Sequence, residues 1–185
     1  AGGGGKTLAL AAAMGSTGQV YAYDSDARRL ADTVRRAERA GVRNLQVRTP
    51  LRPDPLTDLE GRMDLVFIDA PCSGSGAWRR HPDTKWRLTP DALARRQADQ
   101  DAVLDAGVGF VRPGGRLVYV TCSVLAEEDE DRVAAFLARH PEFRVLPATE
   151  DLHWLSRLTP EGYLRLTPAA SDTDGFFVAV LARAE

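Results

Sequence analysis

Two four-residue apolar runs constrain this chain more than anything else in it: Leu65-Val66-Phe67-Ile68 and Leu117-Val118-Tyr119-Val120. Short continuous apolar runs bounded by turn residues read as parallel strands buried on both faces. The first leads into Asp69-Ala70-Pro71-Cys72 and the second into Thr121-Cys122-Ser123, so the chain's only two cysteines follow the ends of both strands. In a doubly wound sheet, ligands bind outside the carboxyl ends of the strands. Neighbouring strands lie about 4.8 Å apart, so adjacency of these two brings both thiols to one pocket. A single buried cysteine usually acts as a small hydrophobe. Two at the ends of two strands, one beside an Asp and a Pro, point to chemistry.

With 185 residues, 44% of them hydrophobic, the chain builds one sizeable core, and residues 1–185 are expected to form a single domain. A net charge of -2 gives no global pull toward nucleic acid, so any such binding rests on a local patch. Two cysteines make no disulfide framework, and His81, His140 and His153 show no ligand spacing, so no metal is expected. Reduced thiols fit a cytoplasmic protein. No apolar stretch approaches the roughly 20 residues of a membrane span, and no signal peptide is evident. The chain opens on Ala1-Gly2-Gly3-Gly4-Gly5-Lys6-Thr7. A glycine loop that opens a helix ordinarily follows a strand. That strand is then expected ahead of residue 1, with the chain an N-terminally truncated fragment of a longer protein.

Strand and helix signals alternate along the chain, which predicts an α/β sandwich. Lys6 to Met14 is Ala/Leu-rich and helical by propensity, and Gln19 to Tyr23 reads as a strand ending at Asp24. Asp26 caps the next helix, which stops at Gly41. Asn44 to Arg48 is a short strand, and a long loop runs from Ala70 to about Thr89. Pro90 opens a helix that continues to about Val111. A further helix spans about Ala126 to Arg139, with Glu127, Glu128 and Asp129 at the positive end of its dipole. Tyr163 to Leu166 and Phe176 to Leu181 close the sheet as an antiparallel pair.

Four glycines let the backbone approach a ligand, and a helix N-terminus offers N–H groups to it. Asp24, about 20 residues further on, suits a carboxylate gripping ribose hydroxyls, although an Asp in this place is often only a turn former. Together the two features indicate a nucleoside-containing cofactor. Gly5-Lys6-Thr7 also imitates the end of a phosphate-binding loop, with Leu65 to Asp69 as a Mg-binding strand, so a P-loop-like NTPase stands as an alternative. The loop after Cys72 carries Trp78 and Trp86 among Arg79, Arg80, His81, Lys85 and Arg87. Basic and aromatic side chains interleaved in this way suit phosphates and unstacked bases. The plainer reading is that both tryptophans pack the loop onto the body while its charges stay solvated. Arg95 and Arg96 extend the basic surface.

These phrases resemble the RsmB/NOP/Sun family of S-adenosylmethionine-dependent RNA cytosine-C5 methyltransferases, over nearly the whole chain. The match runs from the Gly-Gly-Lys-Thr loop through Asp-Ala-Pro-Cys-Ser-Gly-Ser-Gly and Arg-Arg-His-Pro-Asp-x-Lys-Trp to Tyr-Val-Thr-Cys-Ser-Val-Leu and Asp174-Gly175-Phe176-Phe177. The central loop is most similar to the bacterial RsmB branch, which modifies small-subunit ribosomal RNA. The resemblance implies a Rossmann-like class I methyltransferase sandwich with a mostly parallel sheet, here lacking its first, central strand. Backbone groups beside that strand would go unpaired, and a chain that truly starts at Ala1 is expected to be poorly stable and inactive alone. Cys122 is implied to be the nucleophile, Asp69 the general acid, and Cys72 the thiol that helps release product. The cofactor, S-adenosylmethionine, is implied to sit on Gly2, Gly3, Gly4, Gly5, Lys6, Asp24 and Asp69. RNA is implied to meet Arg79, Arg80, His81, Lys85, Trp86 and Arg87. Where the family often carries an acidic residue near the adenine, this chain has Arg48-Thr49-Pro50-Leu51, leaving that contact to apolar side chains or Thr49. The protein is expected to be monomeric, to bind RNA, and to need neither membrane nor metal. A non-catalytic RNA-binding scaffold is a further alternative, disfavoured because Asp69, Cys72 and Cys122 are all present.

Overall fold

The computed structural model describes all residues except Ser16 and 148–157; His153 falls outside the described residues. The chain divides into two compact units, Ala1–Asp58 and Leu59–Glu185. The first holds α1 (Gly5–Ala13), β1 (Val20–Tyr23), α2 (Ala27–Arg39) and β2 (Leu45–Arg48). β1 and β2 run parallel, with Val20 opposite Leu45. The Asp26 carboxylate accepts from the Arg28 N–H and so caps α2, as its position predicts. Gly41 at φ +67° takes the chain out of that helix.

The second unit contains β3 (Met63–Asp69), α3 (Thr84–Arg87), α4 (Pro90–Val108), β4 (Val111–Thr121), α5 (Glu130–Arg139), β5 (Phe143–Val145), β6 (Leu164–Leu166), α6 (Pro168–Ser171) and β7 (Phe176–Arg183). Its sheet runs β3-β4-β7-β5. β3 and β4 are parallel, and β7 runs antiparallel to β4, β5 and β6. β5 lies beside Leu181–Arg183 and β6 beside Phe176–Val178. The closing pair is thus antiparallel as expected, and all three pairings of β7 share that sense.

The core sits between this sheet and the helices α4 and α5. Leu117, Tyr119, Phe177 and Leu181 from the strands meet Leu104 of α4 and Val133 and Phe136 of α5, all fully buried. The Leu117 to Val120 run is buried as its composition demands. Its counterpart on β3 is not: Leu65 is 44% exposed, because β3 is the edge strand of this sheet among the described residues. An apolar run shows that a strand is built to be covered, not that a neighbour pairs with it.

One helix differs from its sequence pattern. Ala126–Glu128 form a single 3-10 turn and α5 starts only at Glu130, with Asp129 between them at φ -112°, ψ -97°. Glu128 and Asp129 do not line a helix start facing solvent. Both are fully buried, and the backbone breaks to aim them inward. Glu130 and Asp131 take the place at the dipole's positive end.

Candidate functional site

In the first unit, the glycine loop is held from two sides. Gly4 is the N-cap of α1 at φ +83°, and a Cβ there would lie 3.0 Å from the Thr33 hydroxyl and 3.1 Å from its Cα. Only glycine fits both the conformation and the space. Thr33, fully buried on α2, donates its hydroxyl proton to the Gly2 carbonyl at 2.9 Å, and Arg36 donates to the Gly3 carbonyl at 2.5 Å. Asp24, at the carboxyl end of β1, accepts from the N–H groups of Gly2 (2.8 Å) and Asp26 (2.9 Å). Burial pushes its carboxyl up, but these N–H groups together with the Ala1 ammonium, 3.2 Å away, outweigh it and hold it below the ordinary range. An ionised acceptor beside an anchored glycine turn fits a ligand carrying vicinal hydroxyls. After β2, Thr49 lines a cleft of about 310 Å³ with Val47, Arg48, Arg52 and Pro53. Arg48 lies over the Tyr21 ring and pairs with Asp58 at 2.7 Å.

In the second unit, the parallel register sets Asp69 opposite Val120, so the two following segments leave the sheet together. Ala70 N–H donates to the Val120 carbonyl at 2.9 Å. The Cys72 and Cys122 sulfurs end 3.3 Å apart and are not joined in a disulfide. The Cys72 thiol is pushed far up, first by its hydrogen bond with Cys122 and then by burial. Cys72 therefore keeps its proton. Asp69 is exposed at the strand end.

A buried polar network underlies the thiols. The Glu128 carboxylate accepts from the Ser73 N–H (2.8 Å), the Ser73 hydroxyl (2.5 Å), the Ser123 hydroxyl (2.6 Å) and Gln100 Nε2 (3.0 Å). Gln100 also donates to the Pro71 carbonyl. The Ser75 and Ser123 hydroxyls are 3.0 Å apart, and Ser75 accepts from the Val124 N–H. The Asp129 carboxylate accepts from the Thr121 hydroxyl at 2.6 Å. Its other oxygen accepts no hydrogen bond among the described residues and lies 3.6 Å from Arg165. None of Glu128, Asp129, Gln100, Thr33 or Arg36 was predicted to serve a site. The one signal was the unbroken acidic run Glu127 to Asp131.

Burial pushes the Asp129 carboxyl up to about 8, against the pull of Thr121 and Arg165, with Glu130 and Glu128 adding to the rise. An unfolded Asp ionises near pH 3.9, so between about pH 4 and pH 8 the folded protein holds a proton that the unfolded chain has lost. This group's contribution to stability is greatest below about pH 4 and declines as the pH rises toward 8. Asp129→Asn abolishes that titration. Denaturant unfolding of the intact protein should show the variant gaining on its parent by up to about 1.4 kcal/mol per pH unit between about pH 5 and pH 8. A gap that stays constant over this range contradicts the assignment.

The basic loop falls into two parts. Arg79 and Arg80 both pair with Asp174, which is 14% exposed, and so tie the loop to the segment before β7. His81, Lys85 and Arg87 are exposed. Trp86 is 81% exposed, with Lys85 Nζ 5.4 Å from its ring centre and 6.0 Å from that of Trp78. Arg87 pairs with Asp83 at 2.9 Å. The packed reading describes Trp78, which is half-buried, and the exposed one describes Trp86. Among the described residues no group of three or more His, Cys, Asp or Glu is placed to hold a metal, and no helix is long and apolar enough to cross a membrane.

The profile of a family described as "16S rRNA methyltransferase RsmB/F" matches residues 1–182. The chain is 37% identical over 187 residues to ribosomal RNA small subunit methyltransferase B of Thermus thermophilus, covering 98% of this chain and 43% of that protein. It is 33% identical over 189 residues to ribosomal RNA small subunit methyltransferase F of Klebsiella pneumoniae, covering 96% of this chain and 38% of that one. Among solved structures, NSun6 from Pyrococcus horikoshii with SFG superimposes with a TM-score of 0.83 at 26% identity, over 100% of this chain and 46% of that one. The chain thus spans less than half the length of these relatives.

Proposed function

This chain belongs to the RsmB/F family of 16S rRNA methyltransferases, and from that premise we propose that it transfers a methyl group from S-adenosylmethionine to carbon 5 of a cytosine in ribosomal RNA. The two thiols at 3.3 Å carry this reading, since neither an NTPase nor a passive RNA-binding scaffold has any use for them. Residues 1–185 act as one catalytic domain. Gly2, Gly3, Gly4, Gly5, Lys6, Asp24 and Asp69 hold the cofactor, in keeping with the ionised Asp24 carboxylate beside the Gly2 N–H and with a relative solved with SFG, an analogue of S-adenosylmethionine. When bound, the cofactor supplies an electrophilic methyl group.

Carbon 5 of cytosine is a poor nucleophile. The Cys122 thiolate adds to C6, and the electrons released into the ring make C5 enamine-like and able to attack a methyl group. Asp69 hydrogen-bonds or protonates the N3 side as charge builds there. After transfer, water takes the C5 proton, and the C–H electron pair re-forms the C5–C6 double bond as the C6–S bond breaks, returning Cys122 as a thiolate. Cys72 keeps its proton beside that sulfur and assists the departure. His81, Lys85, Trp86 and Arg87 offer exposed charge and an aromatic face to an unstacked RNA segment, and the target base leaves its stack to reach the thiol. Arg79 and Arg80 join this surface while anchored on Asp174.

The test uses the intact protein with Cys72→Ser, S-adenosylmethionine and substrate RNA. Release is expected to stall, so a covalent protein–RNA adduct accumulates on a denaturing gel and vanishes when Cys122→Ser is added. Turnover by Cys72→Ser with no adduct, at a rate equal to the parent's, would remove Cys72 from the mechanism.

A further inference from the structure

We infer that Glu128 is a positioning residue that sets the separation of the two thiols, and that through it the protein governs release of methylated RNA; the second clause rests on the function proposed above. A fully buried carboxylate is costly to desolvate unless it is well satisfied, and an apolar side chain would fill the same space without that cost. The donors to Glu128 show what the charge does. Ser73 directly follows Cys72 and Ser123 directly follows Cys122. Both hydroxyls converge on one oxygen, Oε2, at 2.5 and 2.6 Å. The other oxygen takes the Ser73 N–H and Gln100 Nε2. One carboxylate therefore bridges the residues next to both cysteines, and Gln100 adds a hold on the Pro71 carbonyl one residue before Cys72.

Other links between the two segments remain without it. Gly76 N–H donates to the Cys122 carbonyl at 3.0 Å, and Ser75 meets both Ser123 and the Val124 N–H. Loss of Glu128 thus loosens the alignment of the sulfurs more than the join between the segments. The neutral isostere Glu128→Gln keeps an acceptor for the Ser73 N–H, and its amide donates to hydroxyls that rotate to accept. It should restore most of the alignment.

The experiment equilibrates the intact protein with a glutathione buffer, in which the dithiol plus oxidised glutathione gives the Cys72–Cys122 disulfide plus two reduced glutathiones. The cross-linked peptide pair is read by mass spectrometry, on samples whose circular dichroism matches the parent. Glu128→Ala should lower the equilibrium constant about tenfold or more, with Glu128→Gln within about threefold of the parent. Ser123→Ala gives an intermediate loss and serves if Glu128→Ala does not fold. Constants unchanged across all three variants overturn the positioning role, with no reference to RNA. With RNA and cofactor, Glu128→Ala should prolong the covalent adduct. A parent-like adduct lifetime in Glu128→Ala, beside a Cys72→Ser control that does accumulate adduct, overturns the link to release. A control that accumulates none refutes the release chemistry itself, and the link to release falls with it.

Discussion

Replacing Cys122 with serine should abolish methyl transfer by the intact protein, with a loss of about 10⁴-fold or more in the rate of labelled methyl incorporation into RNA. The size of the loss follows from the chemistry. A thiolate is accessible near neutral pH and adds readily to carbon 6, whereas a serine hydroxyl ionises far above that range. Without the adduct, C5 remains part of an aromatic ring and cannot attack a methyl group. Binding of the cofactor, measured by calorimetry, should be nearly unchanged, because Cys122 is not among the residues proposed to hold it. Transfer by Cys122→Ser at a parent-like rate would exclude covalent catalysis by this residue.

The largest effect on stability is expected at Gly76. Its N–H donates to the Cys122 carbonyl at 3.0 Å, and its own carbonyl accepts from the Gly175 N–H at 2.8 Å. A Cβ at Gly76 would lie 2.4 Å from the Gly175 carbonyl oxygen and 2.6 Å from its Cα. Both obstacles are backbone, so no rotamer change relieves them. The close approach is reciprocal, since a Cβ at Gly175 would lie 2.6 Å from Gly76 Cα and 2.4 Å from Val124 Cγ1. Neighbouring Asp174 anchors Arg79 and Arg80, which leaves this crossing clamped at both ends. Gly76→Ala should cost about 3 kcal/mol, a fall of roughly 6–12 °C in Tm for a chain of this size. Methyl transfer should fall with it, because the displaced strand end carries Cys122. A Tm within about 1 °C of the parent would show that the loop yields more easily than its packing implies.

Where local chemistry decided the outcome, the sequence was a good guide. Asp26 caps a helix because a short carboxylate reaches the first-turn N–H groups, and that needs no tertiary context. Leu117 to Val120 are buried because β4 has a neighbouring strand on each side, and the parallel pairing with Leu65 to Ile68 brought the two sulfurs together. The exposure of Leu65 depended on pairing across the sheet, which composition does not encode. Glu128 and Asp129 were harder still. Acidic residues ahead of a helical period read as a dipole match, and only the position of Ser73, about 55 residues away in sequence, turns one of them inward. The pairing of Arg79 and Arg80 with Asp174 has the same long-range origin. It converts two members of an apparent RNA-binding patch into anchors of the loop that presents the remainder.

If the methyl group goes to carbon 5 of a cytosine, the hydrogen that this position carries must leave. RNA transcribed with tritium on carbon 5 of cytosine therefore reports that loss directly when incubated with the intact protein and S-adenosylmethionine bearing a differently labelled methyl group. One tritium should appear in water for each methyl group incorporated, and Cys122→Ser should lose both signals together. Methyl incorporation without tritium release would place the modification on another atom and rule out carbon 5.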